Sequence, residues 1–326
     1  FFDCEGHNVD CKTRGKPVLA NPDIAGIGVI VGFLSTTCIA ILIAFSVLFL
    51  DRYEKTINLF RKVFTKNKTE YVHDLQGPYW RSPVFWSHVL SKNLIAFSDT
   101  QLVTGLAVQF TALLQHCELS IYHFRVITEL AFMTTITHLL AVITLRDYFV
   151  KNRWINLPRI IFMLANLGML GYTSFVSYSY DIAGLDVSSS LACFFQGERP
   201  PLKAAFGGKW AALLIGAIGG HATVIAAMYI LPEEKLEDGQ WTYKWLGAIL
   251  RTWLIAPAYT IYGVIIAGQT LTETQALGNS SVNITGSETA WGFGQFLPIL
   301  LLALPIFAGW ETFWEEKDED RDNRFG

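Results

Sequence analysis

One apolar stretch of the chain carries four ionisable side chains whose spacing suits an interior site. Residues 117–146 are apolar enough for a membrane helix, yet they include His123, Arg125, Glu129 and His138. At helical rise, Glu129 lies about 15–18 Å from the start of the stretch, near the middle of a hydrocarbon layer about 30 Å thick. A carboxylate at that depth faces a bundle interior and marks either a structural ion pair or a working site. Arg125, one turn earlier on the same face, is the predicted partner.

Three kinds of chemistry fit these residues. In a binding site for a small apolar ligand between spans three, five and six, Glu129, His123 and Arg125 supply polar contacts. In an intramembrane enzyme on a lipid or terpenoid, of the cyclase or isomerase type, Glu129 is the proton donor and His123 assists it. In a proton-coupled carrier, Glu129 and the histidines relay protons. The remaining candidate ligand-binding residues are His138, His221, Tyr172, Tyr259 and Tyr262.

Metal and cofactor sites are not expected. Two metal-binding histidines on one helix face are typically four residues apart, and no HxxxH or HExxH pair occurs in any apolar segment. Walker loops and Gly-rich dinucleotide turns are also lacking. Retinal bound as a rhodopsin-type Schiff base is excluded because the last apolar segment contains no lysine. With a formal net charge of −3, nucleic acid is not an expected partner either.

Composition indicates an integral membrane protein. Of the 326 residues, 52% are hydrophobic and 16% are charged, against about 25% charged in soluble proteins. The deficit is concentrated in segments of about 20 residues, which predict an all-α bundle of seven transmembrane helices. The predicted spans are 24–50, 98–115, 119–146, 160–180, 210–231, 245–268 and 291–314.

Two boundaries rest on local signals. Ser98-Asp99-Thr100-Gln101 fits a capping box and predicts the start of span two. The aromatic second half of loop 51–97 predicts an interfacial helix ahead of that span. Residues 1–23 form the N-terminal segment, residues 24–314 the membrane domain and residues 315–326 an acidic tail. Because the chain begins with Phe1, a cleaved signal peptide is expected upstream.

Charge orients the bundle. The loops after spans one, three and five together with the tail hold about 17 Lys and Arg, against about 6 on the other side, which places the first group in the cytoplasm. The N-terminus is then outside and the C-terminus cytoplasmic. The sequons at Asn279 and Asn283 fall in an outside loop, where both are candidate glycosylation sites. Loop 51–97 and the acidic tail are the expected surfaces for a cytoplasmic partner.

Four cysteines fall on the predicted outer side, where disulfides form. Cys117 lies at the outer end of span three and Cys193 in the loop between spans four and five, so a Cys117–Cys193 bridge would tie that loop across the bundle. Cys4–Cys11 would be the second pair. Four cysteines allow three connectivities, and the sequence leaves them open.

Several stretches resemble uncharacterised polytopic membrane proteins of filamentous fungi. Asn21-Pro-Asp-Ile-Ala-Gly-Ile-Gly28 ahead of span one is the most specific. The others are Ser98-Asp99 with Leu102-Val-Thr-Gly105, then Tyr122-His123, Thr137-His138-Leu139 and Leu145-Arg146, all in the first half of the chain. The resemblance implies a fungal source and a place in the plasma membrane or the endomembranes of the secretory pathway. The likeness to G-protein-coupled receptors is architectural, so the leading expectation is a receptor-like membrane protein that contacts lipid and a small apolar ligand.

Overall fold

The computed structural model describes residues 4, 9–51, 80, 82–197, 209–230 and 256–325, and most of these residues are helical. Two short strands are β1 (Val18–Leu19) and β2 (Ile284–Thr285). The helices, in chain order, are α1 (Pro22–Ala25), α2 (Ile27–Leu50), α3 (Pro83–Leu114), α4 (Ile121–Thr144), α5 (Arg146–Lys151), α6 (Arg153–Ser179), α7 (Ala192–Gln196), α8 (Lys209–Ala212), α9 (Gly220–Ile230), α10 (Ala256–Leu271), α11 (Phe293–Leu301) and α12 (Ala303–Phe325). A π-helical turn, Leu213–Gly219, joins α8 to α9. The all-α prediction is confirmed.

Helix α4 is the centre of the bundle. It packs against α2, α3, α6 and α10, and Arg125 and Thr144 are its only residues that are not buried. Surrounded by protein, α4 does not face lipid, which allows it to hold polar side chains. Several of its threonines donate to carbonyls one turn earlier, as Thr134 does to Leu130 at 3.1 Å. The polar side chains of α4 therefore contact protein instead of lipid.

Glycines allow neighbouring helices to approach closely. A Cβ on Gly32 of α2 would lie 2.8 Å from the Cβ of Pro298 in α11. A Cβ on Gly105 of α3 would meet the side chain of Thr134 in α4. Because real Cβ atoms do not approach so closely, larger residues at these positions would separate the helices.

The predicted start of span two is wrong. Helix α3 begins at Pro83, where Ser82 accepts a hydrogen bond from the Phe85 N–H at 3.1 Å, and continues for 32 residues to Leu114. Proline in the first turn and a serine N-cap are a strong helix start, and no later residue breaks the helix. The predicted interfacial helix, so far as it lies within the described residues, is the first part of α3. There Phe85 and Trp86 pack against Phe313 of α12.

Asp99 and Gln101 bind other helices instead of capping their own. Arg159 Nε of α6 donates to both carboxylate oxygens of Asp99 at 2.8 Å. Gln101 is buried and donates to the Thr37 hydroxyl of α2 at 2.8 Å. Both residues therefore fix the packing of α3 against its neighbours.

Four helical segments of the described residues are long and apolar enough to cross a membrane: Pro22–Leu50, Ile121–Thr144, Arg153–Ser179 and Phe293–Asp318. The last exposes a continuous apolar surface, with Phe293 78% and Phe307 66% exposed. Exposed apolar area of this extent is expected against lipid. These features are consistent with a membrane protein; the compartment and the number of spans stay predictions. The part of span six before Ala256 and residues 52–79 of loop 51–97 lie outside the described residues. Most of the acidic tail continues α12.

One end of the bundle is covered by a layer that we call the cap, formed by residues 9–20, 180–197 and 272–292. Strand β1 pairs in parallel with β2, which joins the N-terminal segment to the last loop. Arg14 donates to the Gly184 carbonyl at 2.7 Å, and the Gly15 N–H donates to Asp186 at 3.1 Å. The cap therefore joins three segments that are distant in sequence.

The predicted disulfide pairing is wrong, although all four cysteines do form disulfides. Cys4 is bonded to Cys117 and Cys11 to Cys193, with Cα–Cα distances of 5.7 and 5.5 Å. The N-terminal segment extends across the end of the bundle, so each of its cysteines lies opposite a different loop. A Cys4–Cys11 bridge would have required this segment to fold back on itself.

Candidate functional site

A cavity in the described part of the chain lies between the cap and the start of α4. Its volume is about 320 Å³, and it is open on one side. Its walls combine apolar side chains with hydroxyl and charged groups: Val9, Asp10, Thr13, Lys16, Pro17, Val18, Leu19, Cys117, Glu118, Leu119, Ser120, His123, Ser188, Ser189 and Ser190. Both disulfides end at or beside this wall, which fixes the shape of the cavity. We call it the cap pocket.

His123 lines the cap pocket and belongs to a hydrogen-bonded array. Its Nδ1 lies 2.9 Å from Ser120 Oγ, and its Nε2 lies 3.0 Å from Glu288 Oε1. A carboxylate only accepts, so Nε2 carries the hydrogen and, in the neutral ring, Nδ1 accepts from the Ser120 hydroxyl. The other Glu288 oxygen accepts from the Tyr122 hydroxyl at 3.0 Å. His123 is 2% exposed and Glu288 0%, so the array is protected from solvent except where it reaches the pocket.

Local structure holds the array in place. Ser120 is the N-cap of α4, and its Oγ also accepts from the His123 N–H at 3.3 Å. Ser120 pairs with Ser190 in an antiparallel bridge, which fixes the cap loop beside it. The Glu288 N–H donates to the Gln275 side chain at 3.0 Å. Ser120, His123 and Glu288 are therefore each held by backbone contacts as well as by side-chain hydrogen bonds.

Two carboxylates of the cap, Asp10 in the pocket wall and Asp186 near it, accept hydrogen bonds. Lys16 donates to Asp10, and this bond, with further bonds from Lys12 and Thr13, holds the pKa of the Asp10 carboxyl well below its usual value. The Ser188 hydroxyl donates to Asp186 at 2.7 Å. That bond is the main cause of a lowered Asp186 pKa, with backbone bonds from Gly15 and Val187 acting in the same direction. Both carboxylates are thus stabilised in the ionised form.

Arg125 and Glu129, which were predicted to pair with each other, each contact another residue. Arg125 Nη2 lies 3.7 Å from Glu273 of the cap. Glu129, which is 2% exposed, accepts from the Tyr178 hydroxyl of α6 at 3.1 Å. Glu129 is therefore held in the interior by a neutral donor, about two helical turns from the His123 array.

The other predicted ligand-binding residues lie apart from the cap pocket. His138 and His221 are both buried and close enough to interact with each other, in the half of the bundle away from the cap. Tyr259 packs against Phe132, and its hydroxyl lies 3.5 Å from that of Thr135. Tyr172 and Tyr262 are 37% and 59% exposed and lie on the outside of the bundle. The structure joins only His123 to the cap pocket.

Among the described residues, one group of three side chains of the metal-ligating types lies close together: Cys4, His116 and Cys117. His116 Nε2 lies 3.6 Å from Cys4 Sγ and 3.4 Å from Cys117 Sγ. Thiolate, and not disulfide sulfur, is the metal ligand, so the bridged cysteines are not prepared for a metal. The group is best described as a disulfide packed against an imidazole.

Sequence reasoning missed Ser120, Tyr122 and Glu288 as members of the array. Glu288 lies in a polar loop with no periodicity, 165 residues after its histidine partner. The nearest signal was its place in a Ser- and Thr-rich loop with few other charges. The nearby sequon residues Asn279 and Asn283 are both exposed in the cap.

Comparison with known proteins gives one partial likeness. The elsinochromes biosynthesis cluster protein HP3 of Elsinoe fawcettii is 25% identical over 133 residues, which is 41% of this chain and 48% of that protein. The chain thus matches about half the length of this relative. No family model matches the chain, and no solved structure matches it. The likeness to a fungal protein agrees with the resemblance drawn from the sequence and does not establish a family.

Proposed function

We propose that the chain is a receptor-like, seven-span membrane protein that binds a small molecule in the cap pocket. The observation that carries this proposal is the cavity of about 320 Å³ at the end of the central helix, with His123 in its wall. Sites for small molecules are typically cavities of about 300–1,000 Å³ with a few fixed polar groups. The two disulfides and the β1–β2 pair keep the cavity formed without a ligand, which lowers the ordering cost of binding.

The lining of the pocket favours an amphipathic ligand over a wholly apolar one. Val9, Pro17 and Leu119 offer apolar contact, while Ser120, His123 and the serines of residues 188–190 offer hydrogen bonds. A ligand with an apolar body and hydroxyl or carbonyl oxygens satisfies both kinds of surface. The name of the partial relative ties that protein to a biosynthesis cluster, so a small biosynthetic product is the first class of ligand to test.

Seven spans with the cap outside are part of this proposal. The four membrane-length segments coincide with predicted spans one, three, four and seven. Helix α3, residues 209–230 and α10 coincide with the other three, so far as they are described. Loop 51–97 and the acidic tail would then form the surface for a cytoplasmic partner.

An intramembrane enzyme is the second candidate. Its support is Glu129, a buried carboxyl about 9 Å along α4 from His123, held by the Tyr178 hydroxyl. A protonated Glu129 would be the acid for a lipid or terpenoid substrate that enters from the bilayer. The two candidates place the ligand at different depths, which makes them separable.

Native mass spectrometry of the purified protein, followed by extraction of any bound small molecule, tests the proposal. We expect a molecule retained by the wild type and by Glu129→Gln, and lost from His123→Gln. Val9→Trp, which fills the pocket without breaking a hydrogen bond of the array, should also lose it. Retention by Val9→Trp, or loss from Glu129→Gln alone, would contradict the cap pocket and favour the deeper site.

A further inference from the structure

We propose that Ser120 is an activated nucleophile for acyl transfer, with His123 as its base and Glu288 as the residue that positions the base. This inference rests on the proposed role of the cap pocket as a ligand site and assigns a reaction to it. A nucleophile, a base within hydrogen-bond reach and a third group that orients the base are the signature of this chemistry on many folds.

The distances meet the requirements of such an array. Ser120 Oγ to His123 Nδ1 is 2.9 Å, and His123 Nε2 to Glu288 Oε1 is 3.0 Å. The buried carboxylate fixes the tautomer in which Nδ1 takes the serine proton. It also stabilises the imidazolium that forms when that proton arrives. Tyr122 holds the second carboxylate oxygen, so Glu288 stays in place during the reaction.

The nucleophile and the base both face the cap pocket. Ser120 and His123 line it together, so a carbonyl compound bound in the pocket lies beside both residues. Ser189 Oγ and Ser190 Oγ accept backbone N–H bonds from Asp186 and Ala192. Their O–H hydrogens therefore remain to donate to a developing oxyanion in the same wall.

The reaction balances without a cofactor. Ser120 Oγ attacks the carbonyl carbon of an ester while its proton passes to His123 Nδ1. The tetrahedral intermediate loses the alcohol as His123 returns that proton to the leaving oxygen, and an acyl-serine remains. Water repeats the two steps, so that ester and water give acid and alcohol, and Ser120 is restored.

A purely structural role for Ser120 is N-capping of α4, and the two roles can be separated. Asparagine is as good an N-cap as serine but offers no hydroxyl nucleophile. Ser120→Asn should keep the thermal unfolding midpoint of the wild type and lose all reactivity. Ser287→Ala, an exposed serine of the cap outside the pocket wall, is the matched control and should keep Ser120 reactive.

The probe is a fluorophosphonate, which labels activated serines covalently, read by intact mass and peptide mapping. We expect one adduct, on Ser120, in the wild type and in Ser287→Ala, and none in Ser120→Asn. His123→Gln should slow labelling by about 10²-fold or more, the usual contribution of a general base. Glu288→Gln should shift the pH profile of labelling, which a merely structural role would not do.

Three results would refute the assignment of Ser120 as the nucleophile. They are no adduct on the wild type, an adduct on another serine in place of Ser120, and a labelling rate that does not depend on His123. A small molecule still retained by Ser120→Asn in native mass spectrometry would then leave the cap pocket standing as a binding site. If the wild type also retains no small molecule, both the nucleophile assignment and the proposed binding function are refuted.

Discussion

Two glutamates of one cap loop allow a paired test of how the array is built. Glu288 is fully buried and accepts from His123 and Tyr122, both at 3.0 Å. Glu273, 15 residues earlier, has a side chain that is 49% exposed and lies 3.7 Å from Arg125. Both contact the first turns of α4, and they differ in burial and in the number and length of their contacts.

Glu288→Ala removes two hydrogen bonds to a charged group, each worth about 1.5–3 kcal/mol, and leaves two buried donors unsatisfied. We expect a loss of about 3–5 kcal/mol in the free energy of unfolding, as for other buried networks that lose one partner. Glu288→Gln keeps the shape and one acceptor, so about 1–2 kcal/mol is expected. Glu273→Ala should cost at most about 1 kcal/mol because water screens its ion pair.

Reversible unfolding in mixed micelles with increasing sodium dodecyl sulfate measures these differences. The reasoning is refuted if Glu288→Ala costs less than about 1 kcal/mol, or if Glu273→Ala costs as much as Glu288→Ala. Either result would mean that the buried array contributes no more than an exposed ion pair.

Three further outcomes are expected. Asp99→Asn should lower the free energy of unfolding by about 1–2 kcal/mol, because Arg159 donates to both oxygens of Asp99 in a half-buried pair. In a double-mutant cycle with Arg159→Gln, the two losses should be less than additive. Additive losses would mean that the two residues do not interact. Folding lowers the pKa of Asp186, so its ionised carboxylate stabilises the folded state. This contribution to the free energy of unfolding is complete above the pKa of the unfolded chain, about 3.9, and is lost as the pH falls through the folded pKa. The difference in unfolding midpoint between wild type and Asp186→Asn should therefore shrink as pH falls from 6 to 2.5, and a constant difference would contradict this account. Protein made in a secretory pathway should carry a glycan at Asn279 or Asn283. The glycan should be removed by a glycosidase and should be absent from the double Asn→Gln variant. If neither residue is modified, the prediction that the cap lies on the outer side of the membrane is contradicted.

The sequence predicted the helices well and their ends less well. Span three, predicted at 119–146, is α4 at Ile121–Thr144, because an apolar segment with a serine N-cap determines a helix locally. Span two failed at its start because Ser98 and Gln101 also fit a capping box. Inside a bundle such residues can bind neighbouring helices instead, and the local pattern does not distinguish the two uses.

The candidate site was predicted only in part, because its members come from distant segments. His123 stood out as an ionisable residue in an apolar helix. Its partner Glu288 and the pairing of Cys117 depend on which loops meet over the end of the bundle. Loops have no periodicity from which contacts can be read, so these features appear only in three dimensions.

The pairing of β1 with β2 has a consequence for the order in which the molecule is assembled. β1 precedes α2 in the chain, whereas β2 follows α10. Parallel strands need a crossover between them, and here that crossover is nearly the whole helix bundle. The segment that holds β1 must therefore wait for its strand partner until α10 has been synthesised. Closure of the cap thus comes late in biogenesis, after the helices from α2 to α10 have been made.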